Sequence, residues 1–474
     1  MLIVLILVLL IPPVIHAWEM TFGGEEYDRG FSIIQSTDGN LVIVGETESY
    51  GNGNNDVYLI KTTRSGEIIW EKTFGYTNGE VGFAVSECAN GDLIIAGTTS
   101  SFGPYYNDIY LVRTTQEGNL IWEQAIGGDD EEVAYDLFES SDGGIIVAGR
   151  RGFSESALCL MKTDENGSIL WQKTWPGGVA RSVIETDDAG YVIAGHTGGD
   201  SDAAAHDVWI IRTDGNGDEE WSMIHPGDGD NRAYDVKGIS DGNFVLCGYD
   251  HEGYGHGRED VFLLKISNDG QIIWEREFGG DSDDRAFAVI QMDDGGFGIC
   301  GETYSFGEGA SDLYVIETSD YGAFRRELTF GGDHFDGGRS LIQASDGDLL
   351  ALGTTMSSGA GLIDVYLVNI EPQDGINFPV SEELHCDLIH MPNPCSGNVR
   401  ISFSVPYAGD IRLAIYDSRG NLVSTLERCR LPAGNHSFLW NTTALGAGIP
   451  SGVYWSVLQL NGTSIAAQEL LFIH

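Results

Sequence analysis

The chain has 474 residues, 72 of them acidic and 25 basic, for a formal net charge of −47. Such a surplus should repel nucleic acid and anionic lipid, which removes both from the expected partners. A chain of this length can hold a large core and would ordinarily divide into several domains.

The acid is unevenly placed. From Met391 onward Arg400, Arg412, Arg419, Arg428 and Arg430 face Asp410, Asp417, Glu427 and Glu469, so the tail is near neutral and the preceding region carries the excess. That excess reads as a solubilising surface, with a cation-binding face as the alternative.

Residues 1–17, MLIVLILVLLIPPVIHA, read as a secretory signal: an apolar run, a helix-breaking Pro-Pro, then Ala17. The run is too short and too broken by proline for a transmembrane helix, and no later segment is a candidate span. The expected location is secreted or at the cell surface, with the periplasm crossed in transit.

Residues 18–370 repeat one unit of roughly fifty residues seven times. One anchor is an aromatic in an apolar strand: Trp18, Trp70, Trp122, Trp171, Trp221 and Trp274, with Arg326 at the seventh place. A second is a turn, an apolar run and a glycine, from DGNLVIVG ending at Gly45, through Gly97, Gly149, Gly195, Gly248 and Gly301, to DGDLLALG ending at Gly353. A third is an Asp opening another strand, as in DVYLIK from Asp56. It recurs at Asp108, Asp207, Asp260, Asp312 and Asp364, and is missing from ALCLMK in the third repeat.

Each unit predicts four short antiparallel strands. In Gly30–Gly75 they are FSIIQS, LVIVGET, DVYLIKT and IIWEKTF, joined by Asp-Gly and Ser-Gly turns and a glycine-rich loop. LVIVG and DVYLIK are apolar on both faces, as expected of a sheet packed between two others. The glycine is expected to let the backbones of neighbouring blades approach. The third-strand Asp is expected to pin a loop by accepting backbone N–H groups. WEMTFGG from Trp18 matches a fourth strand, whereas the last repeat stops after its third, DVYLVNI. The expected fold is therefore all-β: a seven-bladed β-propeller closed by the N-terminal strand, followed by a small Ig-like β-sandwich.

On the D-x-Y-x-x-K-T…G-x-x-x-W…F-G-G…D-G-G-x-x-x-x-G pattern, Trp18 to about Ile370 resembles exported bacterial β-propellers of WD40-like and Kelch-like architecture. The resemblance implies a fold and no particular activity.

A linker, 371–390, precedes alternating strands in 391–474, with turns at Pro392-Asn393-Pro394, Ser418-Arg419-Gly420 and Pro450-Ser451-Gly452. About eighty residues of this kind suggest the Ig-like sandwich. With Tyr416, Asp417, Gly434, Trp440, Val453 and Tyr454, this run resembles the C-terminal sorting domain of the type IX secretion system and the FlgD-type Ig-like domain. That resemblance implies secretion machinery as a partner, with the propeller as cargo.

Cys88, Cys159, Cys247 and Cys300 read as small buried hydrophobes. Cys247 and Cys300 hold equivalent places in adjacent repeats and should not bond. Cys386, Cys395 and Cys429 in the tail allow one disulfide and leave one thiol over.

For chemistry, the variable loops on a rigid scaffold are the expected binding region, with Tyr105, Tyr106, His251, Tyr254 and His256 as ligand candidates beside acids. The partner would be a protein or a glycan. Asp281, Asp283 and Asp284 are the metal candidates, for calcium; otherwise no cofactor is expected. Asp214, Asn216 and Asp218 look like a calcium-loop start but read better as a plain turn. No nucleophile elbow, zinc motif or phosphate loop occurs, so no catalytic residue is assigned. The leading expectation is a non-enzymatic binding or scaffold protein. The alternative is a glycoside hydrolase using loop carboxylates.

Overall fold

The structure is a computed structural model. It describes residues 17–102, 106–152, 156–199, 206–227, 229–251 and 259–372, and in the tail 388–391, 399–405, 407–417, 422–440, 452–460 and 463–472. Every regular element among them is a strand. No helix among the described residues is long and apolar enough to cross a membrane.

The chain divides into two compact units. One gathers Met1–Ile290, Ile299–Val315 and Thr329–Pro372; the other gathers Gln291–Gly298, Ile316–Leu328 and Gln373–His474. The change at Pro372 falls within 371–390, where the sequence leads one to expect a linker. Two short segments of the sixth repeat group with the tail, a division the repeat pattern does not anticipate.

Among the described residues, the repeat region forms seven four-stranded antiparallel sheets, each from four strands in simple up-and-down order. Strand β1 (Ala17–Phe22) belongs to the last of them. Sheet one is β2 (Asp28–Gln35), β3 (Leu41–Thr47), β4 (Asp56–Thr62) and β5 (Ile68–Phe74). The first strands of sheets two to seven are Glu80–Glu87, Glu132–Glu139, Gly178–Glu185, Arg232–Gly238, Asp284–Gln291 and Asp336–Gln343. Sheet seven continues with Leu349–Thr355 and Asp364–Ile370, and β1 completes it, pairing Trp18 with Asn369 and Phe22 with Val365.

The apolar runs read from the sequence explain the packing. β3 and β4 are buried along their whole length, whereas β5 is largely open. Alternate residues of the buried strands serve opposite neighbours. Val42, Val44, Val57 and Leu59 pack on Leu93, Ile95 and Val112 of sheet two, while Leu41, Ile43 and Ile60 pack on Leu350, Leu352 and Leu367 of sheet seven. Each such side chain is worth about 1.5–3 kcal/mol when fully buried.

The repeated tryptophan lies across the next sheet. The Trp70 ring covers the turn of sheet two, where a Cβ on Gly118 would come within 3.0 Å of it, and the Trp122 ring does the same at Gly167. These turn glycines have φ of +75° and +80°, so the turn geometry and the overlying ring both ask for glycine. The Trp122 Nε1–H donates to the Glu165 carbonyl at 3.2 Å. At Gly66 of sheet one, Met20 and Trp18 of β1 take this place together, the Met20 sulfur being the nearer.

Carboxylates seal the turns between first and second strands. Glu87 of sheet two accepts the Thr37 N–H of sheet one at 2.7 Å, and Glu185 of sheet four accepts the Ser141 N–H of sheet three at 2.8 Å. Gln35 of sheet one accepts the Ser345 N–H of sheet seven at 2.9 Å.

The third-strand aspartates pin loops as expected: Asp56 accepts the Asn52 N–H at 2.8 Å and Asp364 the Gly361 N–H at 2.9 Å. The second-strand glycine differs from expectation. It admits close approach within its own sheet, not between sheets. A Cβ on Gly45 would sit 1.7 Å from the Arg29 carbonyl oxygen of the paired strand, and one on Gly97 would sit 1.7 Å from that of Val81.

The tail forms two sheets. Leu388–Met391, Val399–Val405 and Gly434–Trp440 make one; Leu422–Leu431, Gly409–Asp417, Gly452–Leu460 and Thr463–Phe472 make the other. Residues of both sheets, among them Val399, Ile401, Leu413, Ile415, Trp440 and Leu458, share one apolar core. Cys88, Cys159, Cys247 and Cys300 carry free thiols, all four buried. Cys386 and Cys395 lie outside the described residues.

Candidate binding pocket

The close approach at the second-strand glycine has a consequence one residue on. Gly30 pairs with Gly45, but Ser32 pairs with Val44, so Phe31 is an extra residue, a β-bulge. The same shift leaves over Phe83 in sheet two, Tyr135 in sheet three, Arg181 in sheet four, Tyr234 in sheet five and Arg339 in sheet seven. Phe287 holds the matching place in the sequence of sheet six, Ala286-Phe287-Ala288.

These seven side chains, one from each sheet, line a single cavity of about 500 Å³, together with Tyr249, Arg285 and Glu302. They touch in sequence. Phe31 meets Phe83 at 5.2 Å between ring centroids, and Phe83 meets Tyr135 at 5.4 Å. The Arg181 guanidinium lies 4.1 Å from the Tyr135 ring centre and 5.2 Å from that of Tyr234. Tyr234 meets Phe287 edge-on at 4.9 Å, and the Arg339 guanidinium lies 4.0 Å over Phe287. These separations suit aromatic pairing and cation–π contact.

The lining has two halves. Phe31, Phe83 and Tyr135 make an aromatic arc. The other half alternates arginines and rings: Arg181, Tyr234, Phe287 and Arg339. The Arg285 guanidinium bonds Glu302 at 2.9 Å and also meets Glu259, while Arg339 reaches Glu302 at 3.4 Å. The lining thus holds three arginines against one glutamate, in a chain of net charge −47.

Next along the first strands, a polar network crosses four sheets. Asp136 of sheet three accepts the Val183 N–H of sheet four at 2.9 Å, and Asp235 of sheet five accepts the Val289 N–H of sheet six at 3.0 Å. Ser182 donates to Asp235 at 2.9 Å, and the Lys237 ammonium does so at 2.7 Å. Burial raises the Asp136 carboxyl to about 6, against the lowering effect of Lys237 and the Val183 N–H. In sheet seven the equivalent residue, Ser340, accepts the Ile33 N–H of sheet one at 3.4 Å.

The residues singled out from the sequence lie elsewhere. Tyr106 is exposed in a loop of sheet two, and His251 ends a strand of sheet five, its N–H donating to Asn231 at 2.9 Å. Neither lines the cavity. Tyr105, Tyr254 and His256 lie outside the described residues. Asp284 is buried, and its Oδ2 accepts the Gly280 N–H at 2.7 Å and the Ser305 hydroxyl at 2.7 Å. Asp283 lies 3.7 Å from Arg285, and Asp281 is exposed. Among the described residues no three His, Cys, Asp or Glu side chains group as a metal site.

The pocket residues were not singled out from the sequence. Their signal is the repeat position following Gly or Ala in the first strand, which changes between Phe, Tyr and Arg while the residue before it stays small.

No family model matches the chain. A 135-residue stretch is 26% identical to the regulatory protein FlaEY of Caulobacter vibrioides, covering 25% of this chain and 14% of that protein, so the chain spans a small part of that relative's length. Among solved structures it is similar to Sqt1 from Chaetomium thermophilum, at 13% identity and a TM-score of 0.43, over 96% of this chain and 100% of that one. It is also similar to the β-propeller domain of the Trilobed protease from Pyrococcus furiosus, at 11% identity and a TM-score of 0.40, over 74% and 95%. Likeness at this level says nothing of ligand or activity.

Proposed function

We propose that this chain is an exported, non-enzymatic binding protein: a closed seven-bladed ring that receives a glycan or protein partner, with an Ig-like C-terminal domain serving secretion or surface attachment. The observation that carries the binding reading is the convergence of one first-strand side chain from each of seven sheets, six of them at a bulge, on one cavity. A scaffold that keeps the geometry of a position constant while varying its chemistry between Phe, Tyr and Arg fits ligand recognition.

Three contacts support closure. Trp18 on the Gly66 turn, Gln35 on Ser345 and Ser340 on Ile33 join the last sheet to the first as equivalent contacts join consecutive sheets. The export reading rests on residues 1–17, and the sorting or attachment role on the motifs of the tail. The variable loops with Tyr105, Tyr106, His251, Tyr254 and His256 are proposed as outer contacts.

The carboxylate alternative, a glycoside hydrolase, draws on Asp136, raised to about 6 beside Asp235. Against it, both carboxylates are taken up by backbone N–H groups of neighbouring sheets, and Asp235 also by Lys237, which suits cross-sheet staples better than an acid and a base.

The test is a glycan array and a protein pull-down with the mature full chain, with and without calcium, in which the same glycans are assayed for cleavage. Saturable binding without cleavage is expected. Cleavage lost in Asp136→Asn would transfer the function to the alternative.

A further inference from the structure

Resting on that reading, we infer that the central cavity binds an acidic sugar, a six-membered ring bearing a carboxylate, as found in a polyuronate chain. The argument is the division of the lining. Phe31, Phe83 and Tyr135 offer contiguous aromatic surface on one side, the kind of surface on which the flat apolar face of a sugar ring rests. Continuing round the lining stand Arg181 and Arg339, each guanidinium held against aromatic rings, Arg181 by Tyr135 at the end of the arc and by Tyr234, and Arg339 by Phe287. A guanidinium held this way has little freedom left to lose, and its fork of N–H donors matches a carboxylate in two parallel bonds.

Charge placement points the same way. The repeat region spends its few cations sparingly, yet three arginines meet at this one cavity, with Glu302 tying Arg285 and reaching the edge of Arg339. Arg285 is offset by Glu259 and Glu302, so Arg181 and Arg339 are the cations that would meet an anionic ligand. The cavity, at about 500 Å³, accommodates a short oligosaccharide segment and not a folded domain. An acidic peptide carries the charge but lacks the ring that the aromatic arc would cover.

The experiment is isothermal titration of the mature full-length chain with oligogalacturonate, with the carboxyl-reduced oligomer of the same length and linkage, and with polyglutamate. Saturable binding of the oligogalacturonate, at least tenfold tighter than either control, is the expected result. Equal binding of the reduced oligomer would remove the role of the arginines, and equal binding of polyglutamate would remove the role of the ring; either overturns the inference. A neutral glycan found on the array with no uronate binding also overturns it, while leaving the binding reading of the protein intact.

Arg181→Gln and Arg339→Gln should each weaken uronate binding about tenfold, the loss of one charge-assisted pair. Arg181→Lys should recover only part of it, since it keeps the charge without the fork. Phe83→Ala should weaken the acidic and the reduced oligomer by the same factor. The three wild-type titrations decide the matter even if a variant fails to fold.

Discussion

The first and fourth strands of these sheets follow opposite rules. At the fourth strand a residue kept in six of seven repeats does a fixed job: tryptophan lies on the turn glycine of the next sheet at Gly118, Gly167, Gly217 and Gly270, and beside Met20 at Gly66. At the first strand the geometry is equally constant, a bulge opposite a glycine, but the residue changes among Phe, Tyr and Arg. Constancy of residue and geometry together marks assembly. Constancy of geometry with changing chemistry fits the binding surface proposed above. Within one chain, seven copies allow that distinction without any other protein.

The largest effect is expected where the bulge is made. Gly97→Val would place Cβ against the Val81 carbonyl oxygen, at 1.7 Å in the present geometry, and strands held on both faces cannot move aside. A loss of about 4 kcal/mol or more, with poor soluble expression, is expected and is checked by chemical unfolding. If Gly97→Val melted like the parent, the bulge would not depend on the glycine.

Next comes the outer contact. Trp122→Ala removes the ring over Gly167 and the bond to the Glu165 carbonyl, and should cost about 2 kcal/mol. Arg181→Gln at the inner position should change stability by less than about 1 kcal/mol while acting on binding. Reversing that order, with the tryptophan silent and the arginine destabilising, would invert the comparison.

A pH effect separates the buried acids from the surface. Burial and the neighbouring Asp336 charge raise the Asp312 carboxyl to about 6, and burial does the same to Asp136. Their unfolded values lie near 4, so between about pH 4 and 6 the folded chain keeps protons that the unfolded chain has released. The stability these groups contribute is therefore fully present below about pH 4 and is lost as pH rises through about 6. Melting temperature should fall across that window, and Asp312→Asn should flatten the fall. By contrast, the bond from Lys162 holds the exposed Asp142 down at about 2, so it does not titrate in the window.

The smallest effect belongs to the open start of the fourth strands. Ile68 and Ile69 are each nearly half exposed, and Ile68→Thr should change stability by less than about 0.5 kcal/mol in the same unfolding assay.

Much of this was legible in the sequence because it is local. The turn Asp-Gly pairs, the apolar runs and the Asp opening the third strand act within a few residues of themselves, and seven copies make the pattern plain. The out-of-phase ends likewise foretold β1 as the missing fourth strand of sheet seven. The loop candidates Tyr106 and His251 drew notice because variable loops stand out in a repeat, yet neither reaches the cavity.

What the sequence alone determined is the repeat, its four strands and the residues each strand buries, since periodicity and turn chemistry are properties of short stretches. What only the tertiary structure decided is the direction of one side chain per sheet. Phe31, Tyr135 and Arg181 sit inside strands, and strand alternation alone does not say where they point. The bulge arises from the register between two strands, because the partner's glycine lets a carbonyl oxygen occupy the space of a Cβ. Only with the sheets gathered do seven separated residues become one pocket.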